Sequence, residues 1–295
     1  LTVELVGASL TAETIGKFKE LKNYLKSLGS VLVAYSGGVD STFLFKVAHE
    51  VLGDKCMGVT ASSETYPQSE LAEALKVAEN IGGKHMLIRT EELADERFAG
   101  NPVNRCYFCK AELFSKLWSI ARRAGLNYVV DGANADDVHD YRPGHQAGQE
   151  LGVKSPLQEV GLSKEEIRQL SKALGLPTWN KPSFACLSSR FPYGQRITSE
   201  KLAQVDQAET FLRQLGFGQL RVRHHENIAR IEVPREDFPL VTGAMLDRIV
   251  AKLKDLGFVY VTLDLQGLRS GSMNEVLFTV NSQGPHTATT KPQYN

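Results

Sequence analysis

Residues 36–41 read Ser-Gly-Gly-Val-Asp-Ser and stand between an apolar run at 31–35 and an amphipathic stretch at 42–48. The pattern predicts a buried strand that passes through a tight glycine turn into a helix, whose free N–H groups point back at the turn. That layout cradles an anion. Gly37 and Gly38 let the backbone approach it and take positive φ, and Ser36 and Ser41 add hydroxyl donors at the two edges. Asp40 adds a carboxylate, which repels a phosphate unless a divalent cation stands between them, so the motif calls for Mg²⁺. The lysine of the common G-x-x-x-x-G-K-[ST] loop is absent. An ordinary strand–helix turn would explain two glycines, but not the hydroxyls together with the carboxylate.

The hexapeptide resembles the pyrophosphate loop, SGGxDS, of the ATP pyrophosphatases, which split ATP into AMP and pyrophosphate to adenylate a substrate. The resemblance implies ATP held by Ser36, Gly37, Gly38, Asp40 and Ser41. It leaves the acceptor open, because GMP and NAD synthetases, asparagine synthetase and tRNA-thiolating enzymes share the loop.

From residue 11 to about 132, helical periodicity at 11–28, 40–52, 67–81 and 110–124 alternates with strand-like runs at 31–35, 56–61, 85–89 and 127–131. This predicts an α/β fold, a parallel sheet with helices on both faces. Ligands then bind at the carboxyl ends of the strands, where the glycine loop and the acid-rich segment 131–137 both fall. Within that segment Asp136 or Asp137 is a candidate for placing metal or adenylate, against the simpler reading of a solvated loop. We expect a domain at 1–195, a smaller α+β domain at 196–280 and a flexible tail at 281–295 rich in Gly, Pro, Thr, Gln and Asn.

Lys plus Arg equals Asp plus Glu at 34 each, so no global positive field recruits nucleic acid. There is no apolar stretch of about 18 residues and no basic-then-apolar leader, and the expected location is the cytoplasm, away from membranes.

In that compartment a structural disulfide is not expected. Cys106 and Cys109 form C-x-x-C at the mouth of the helix expected from 110, Cys186 lies in a loop, and Cys56 sits inside a strand as a core residue. The C-x-x-C is redox-active, metal-bound or simply buried. Zinc usually asks for four ligands, whereas three thiolates suit a [4Fe–4S] cluster with one iron open. The plainer alternative is three separate small apolar residues.

The stretch 179–194, with Cys186 and Ser-Ser-Arg-Phe-Pro-Tyr-Gly from Ser188, joins Asp140-Tyr141-Arg142-Pro143-Gly144 and the glycine loop in resembling the LarE family. These are ATP-dependent sulfur transferases of nickel-pincer nucleotide synthesis for lactate racemase, and the resemblance reaches to about residue 278. It implies adenylation of the carboxylates of pyridinium-3,5-biscarboxylic acid mononucleotide and their conversion to thiocarboxylates. Single-cysteine members sacrifice a cysteine five residues before the arginine of that segment. Here that position is Ala185, and Cys186 is four before Arg190. The shift, with the added Cys106 and Cys109, resembles the three-cysteine members, in which a [4Fe–4S] cluster carries a transferable sulfide. Implied partners are the mononucleotide, a sulfide donor and the nickel-inserting and carboxylating enzymes of the same pathway, with the chain as a homo-oligomer.

A helix at 199–215 places Glu209 on its apolar stripe, where a carboxylate must find a partner. Arg221 and Arg223 alternate on one strand, Arg230 and Glu232 on the next, and 224–227 make the turn. On periodicity alone this is the wet face of a hairpin. Two arginines so spaced can also grip a phosphate, and the resemblance implies that Ser189, Arg190, Arg221 and Arg223 hold the substrate's phosphate. It implies active-site roles for Cys186, Asp40, Glu209, Glu232 and Asp237. The competing functions are tRNA thiolation, which would favour a basic face and an added RNA-binding module, and a non-catalytic nucleotide sensor.

Overall fold

The computed structural model describes residues 10–139, 143–182, 185–269 and 271–276. Asp140, Tyr141 and Arg142 of the acid-rich motif, Ser183 and Phe184 of the cysteine segment, and the 281–295 tail lie outside the described residues. The chain divides into two compact units, Leu1–Leu187 with Arg196–Ser199, and Ser188–Gln195 with Glu200–Asn295. Relative to the boundary expected at 195, Ser188–Gln195 falls in the second unit, where Arg190 pairs with Glu209, and Arg196–Ser199 falls in the first.

The first unit opens with α1 (Ala12–Leu28), capped by Thr11, whose hydroxyl accepts the Thr14 N–H, and closed by Gly29 at φ 75°. There follow β1 (Val31–Ala34), α2 (Val39–Leu52), β2 (Cys56–Ser62), α3 (Gln68–Ile81), β3 (Lys84–Arg89), α4 (Glu96–Ala99), α5 (Arg105–Arg123) and β4 (Tyr128–Val130). The four strands form one parallel sheet in the order β3-β2-β1-β4, with Val31 registered on Cys56 and Tyr128. The period of two in β1 sorts the core. Val31 and Val33 pack with Phe18, Leu21, Phe43, Ala74 and Ile167 on one face, and Leu32 packs with Phe114, Leu117 and Val129 on the other. Cys56 is fully buried in this core, and burial pushes its thiol up to about 12.

One helix departs from the expectation. Helix α5 begins at Arg105, not 110, so Cys106 and Cys109 lie in its first turns and not in a preceding loop. After β4 come α6 (Pro143–Glu150), α7 (Pro156–Glu159) and α8 (Lys164–Ala173), the last started by a capping box in which Ser163 and Glu166 serve each other's backbone N–H.

The second unit contains α9 (Ser199–Gln214), whose first residue belongs to the first unit, then β5 (Arg221–His225), β6 (Ile228–Glu232), α10 (Phe238–Thr242), α11 (Leu246–Asp255) and β7 (Tyr260–Leu263). Its sheet runs β5-β6-β7, antiparallel and then parallel. The expected four-residue turn shrinks to Glu226 and Asn227, with Glu226 at φ 52°, and both histidines stay in the strand. Among the described residues no helix is long and apolar enough to cross a membrane.

Candidate active site

The glycine turn is built to admit only glycine at its tightest point. Gly37 takes φ 67°, and a Cβ there would lie 2.4 Å from the Ala74 Cβ on α3. Ser41 Oγ accepts the Ser36 N–H at 3.1 Å and meets Ser36 Oγ at 3.0 Å, while the Tyr66 hydroxyl donates to the Ser36 carbonyl at 2.6 Å. Gly132, just past β4, lets the loop in close, since a Cβ would sit 3.0 Å from the Ser41 amide nitrogen. The turn is therefore held from both neighbouring strand ends, with the N-terminus of α2 behind it.

Asp40 is the first acidic residue of α2, and its Oδ2 accepts from Lys164 Nζ at 2.5 Å. Its Oδ1 is buried with no hydrogen-bond partner among the described residues. Burial holds the carboxyl above the usual carboxylate range, Lys164 works against that, and the charge of Asp137 adds to it. An orphaned buried oxygen on a carboxylate that feels a second carboxylate suits a divalent cation, which cancels both penalties. Asp136 is placed differently. Its Oδ2 accepts the Lys164 backbone N–H at 2.9 Å, so it steadies the start of α8, and Asp137 is the one whose charge reaches Asp40.

Lys164 has no place among the residues picked out from sequence. A signal for it existed: a lysine at the first position of a helix opposes the helix dipole, and something must compensate for it.

The same unit holds three of the four cysteines in mutual influence. Burial pushes the Cys109 thiol up, followed by the charges of Glu92, Cys186 and Cys106, with Lys110 opposing. Cys106 is exposed as a residue, yet packing around its sulfur also raises its thiol, and Cys186 adds to the shift while Arg105 and Lys110 oppose it. Charge on a neighbouring thiolate therefore makes ionising Cys106 or Cys109 harder. Cys186 is anchored next door, where the Leu187 N–H donates to the Thr65 carbonyl at 2.9 Å. Among the described residues no three His, Cys, Asp or Glu side chains converge to hold one metal ion.

In the second unit the hairpin face expected to be wet is largely covered, with Arg223 and Glu232 buried and Arg221 and Arg230 half-buried. Arg190 and Glu209 are both 0% exposed and pair through Nε at 2.8 Å and Nη2 at 3.0 Å. Glu209 also accepts from Arg213 and from the Val222 N–H, and these partners hold its carboxyl below the usual range against the upward push of burial. Glu232, equally buried, accepts from Arg223 at 2.8 Å, Arg230 at 3.0 Å and Ser272. Ser189 accepts from Arg190 on its hydroxyl and from Arg223 on its carbonyl. Among the described residues Arg221 bonds the Leu220 carbonyl alone, and burial, then Arg190 and other arginines, lowers its pKa to about 10. Asp237, in the turn before α10, takes no part in these bonds and is half-buried.

Known proteins resemble this chain over most of its length. The NAD synthase family matches residues 15–102, the part that carries the glycine turn. An uncharacterized protein of Synechocystis sp. is 50% identical over 262 residues, covering 88% of this chain and 98% of that protein. The pyridinium-3,5-bisthiocarboxylic acid mononucleotide synthase of Lactiplantibacillus plantarum is 43% identical over 257 residues, covering 86% of this chain and 92% of that protein. An uncharacterized protein of Methanocaldococcus jannaschii is 30% identical over 257 residues, covering 86% of this chain and 98% of that protein.

Proposed function

Since the chain belongs to the LarE family, that of the pyridinium-3,5-bisthiocarboxylic acid mononucleotide synthase, we propose that it adenylates and thiolates the carboxylates of pyridinium-3,5-biscarboxylic acid mononucleotide. The protein is an ATP-dependent sulfur-transferring enzyme of the pyrophosphate-loop superfamily. Each round consumes one ATP. A substrate carboxylate oxygen bonds to the α-phosphorus, pyrophosphate leaves, and a sulfide sulfur then attacks the acyl carbon and expels AMP, leaving a thiocarboxylate.

The residues divide this work by chemistry. Ser36, Gly37, Gly38 and Ser41 receive the phosphates, Asp40 with Asp137 holds Mg²⁺, and Asp136 keeps Lys164 in place beside Asp40. In the second unit Arg221 receives the substrate's phosphate, and Ser189, Arg190 and Arg223, bonded to one another, frame that site from the buried side. Glu209 and Glu232 set the arginine forks, and Asp237 stands in the adjoining turn.

Cys106, Cys109 and Cys186 hold the sulfur-delivering group, which we read as a [4Fe–4S] cluster. Each thiol would give up its proton on binding iron, which would offset the cost that burial imposes on ionising Cys106 and Cys109. When bound, such a cluster would supply reduced sulfur repeatedly. The product belongs to the nickel-pincer cofactor of lactate racemase, with the nickel-inserting and carboxylating enzymes as pathway partners and a homo-oligomer as the working form.

The observation that carries this reading is the glycine turn beside the orphaned buried oxygen of Asp40, in a chain 43% identical to that synthase over 257 residues. The experiment is pyrophosphate release with the pyridinium mononucleotide and, in parallel, with tRNA, on protein purified anaerobically and analysed for iron and sulfide. Release with the mononucleotide alone supports the reading, and release with tRNA alone overturns it.

A further inference from the structure

Glu92, just past β3, is 3% exposed. Its Oε1 accepts from Ser63 Oγ at 2.6 Å and from Thr65 Oγ1 at 2.7 Å, and these two hydroxyls meet at 2.9 Å. Neither partner carries charge. Its Oε2 is buried with no hydrogen-bond partner among the described residues. Of the charges acting on the Cys109 thiol, that of Glu92 is the largest. Thr65, which Glu92 fixes through its hydroxyl, offers its carbonyl to the Leu187 N–H beside Cys186. The carboxylate is thus tied to the three-thiol site by its charge on Cys109 and, by way of Thr65, by the backbone beside Cys186.

A buried carboxylate without a cationic partner is costly, and two hydroxyl donors offset only part of that cost. The thiols do not complete it, because as thiolates they carry the same sign. A binding partner of positive charge would. The substrate class proposed above brings a permanent one, the ring nitrogen of a pyridinium, next to the carboxylates that receive sulfur.

We propose that Glu92 is a specificity-determining residue that favours a cationic ring at the sulfur site over a neutral one. It acts through its field in a poorly screened interior and touches neither the ring nor the reacting atoms. The inference rests on the pyridinium substrate reading and adds to it a residue that selects the charge of the ring.

The test measures binding of the pyridinium mononucleotide, of its uncharged dihydropyridine analogue and of ATP to wild type, Glu92→Gln and Thr65→Val, by calorimetry without turnover. Gln keeps an oxygen acceptor for both hydroxyls and removes the charge, whereas Thr65→Val removes one hydroxyl and keeps the charge. Glu92→Gln should weaken the pyridinium nucleotide about tenfold while leaving the neutral analogue and ATP within about twofold. Thr65→Val should keep the wild-type preference for the charged ring. Equal loss of all three ligands in Glu92→Gln would make the residue a structural anchor and overturn the proposal alone. A wild type that binds neither pyridine ligand would overturn the substrate reading and this inference together.

Discussion

Lys164 Nζ lies 2.5 Å from Asp40 Oδ2, and the other oxygen of that carboxylate is buried with no partner among the described residues. A residue at the start of α8 thus neutralises the carboxylate of the glycine turn from a helix 124 positions away in sequence. On the function proposed above, Asp40 would turn to Mg²⁺ and leave the Lys164 ammonium free to meet a phosphate. Lys164→Ala should therefore lower substrate-dependent pyrophosphate release on the order of 100-fold, the scale of losing one charge-stabilising donor. A pyrophosphate-coupled assay checks this, and unchanged turnover would leave Lys164 as a partner for Asp40 and nothing more.

The same carboxylate sets a pH dependence. Burial raises the Asp40 carboxyl above its ordinary value, so the folded state keeps that proton to higher pH than the unfolded chain does. Its contribution to stability is present below the ordinary Asp value and is lost as pH rises through the raised one. Asp40→Asn removes the titration. The variant should gain stability relative to wild type as pH climbs from the acid range to 7, and Mg²⁺ with ATP should narrow the difference. Urea denaturation across pH measures it, and a difference independent of pH would contradict the sign argued here.

What the sequence made legible was local. The strand–turn–helix of the loop rests on neighbours within a dozen residues, and the alternation of apolar runs sufficed for the four parallel strands. The charged hairpin misled because alternation reports that two faces differ and not which is covered. Arg223 and Glu232 are buried by groups from elsewhere in the second unit, Ser189 and Ser272 among them. The cysteine and aromatic residues of 106–109 mark no helical stripe, so periodicity hides the first turns of α5, and the exposed Tyr260 breaks the apolar pattern that would show β7. Lys164 needed a contact between residues that no local pattern links.

Arg190 and Glu209 form a fully buried pair, and removing one partner leaves an uncompensated charge. Arg190→Met should cost about 3–5 kcal/mol of stability, and Arg190→Met with Glu209→Leu should recover much of it. Arg190 and its neighbours depress the Glu209 carboxyl despite burial, so its stabilisation is present above the ordinary Glu value and lost as pH falls through the depressed one. Chemical denaturation of the single and double variants at neutral and acid pH tests both statements. A double variant no more stable than the single would mean that packing, not charge, holds this core.

Arg223 is committed to Glu232, whereas Arg221 bonds only a carbonyl among the described residues and has its charge disfavoured by burial and by neighbouring arginines. An incoming phosphate relieves that repulsion. Arg221→Ala should therefore weaken the pyridinium mononucleotide by about 1.5–3 kcal/mol, with ATP affinity unchanged. Calorimetric titration of each ligand decides it, and equal losses would assign Arg221 to the fold.

The three coupled thiols make the sharpest prediction about sulfur. If Cys106, Cys109 and Cys186 share one iron–sulfur cluster, replacing any one by Ala should abolish its visible absorbance and the repeated turnover supported by added sulfide. Cys56 lies in the sheet core with a thiol raised by burial alone, so Cys56→Ala should keep both and lose only about 1 kcal/mol of stability from the small cavity. Intact-protein mass spectrometry supplies the opposing outcome. Loss of the mass of H₂S from Cys186, in step with a single turnover, would show that this cysteine gives up its own sulfur, and Cys106 and Cys109 would then need another role.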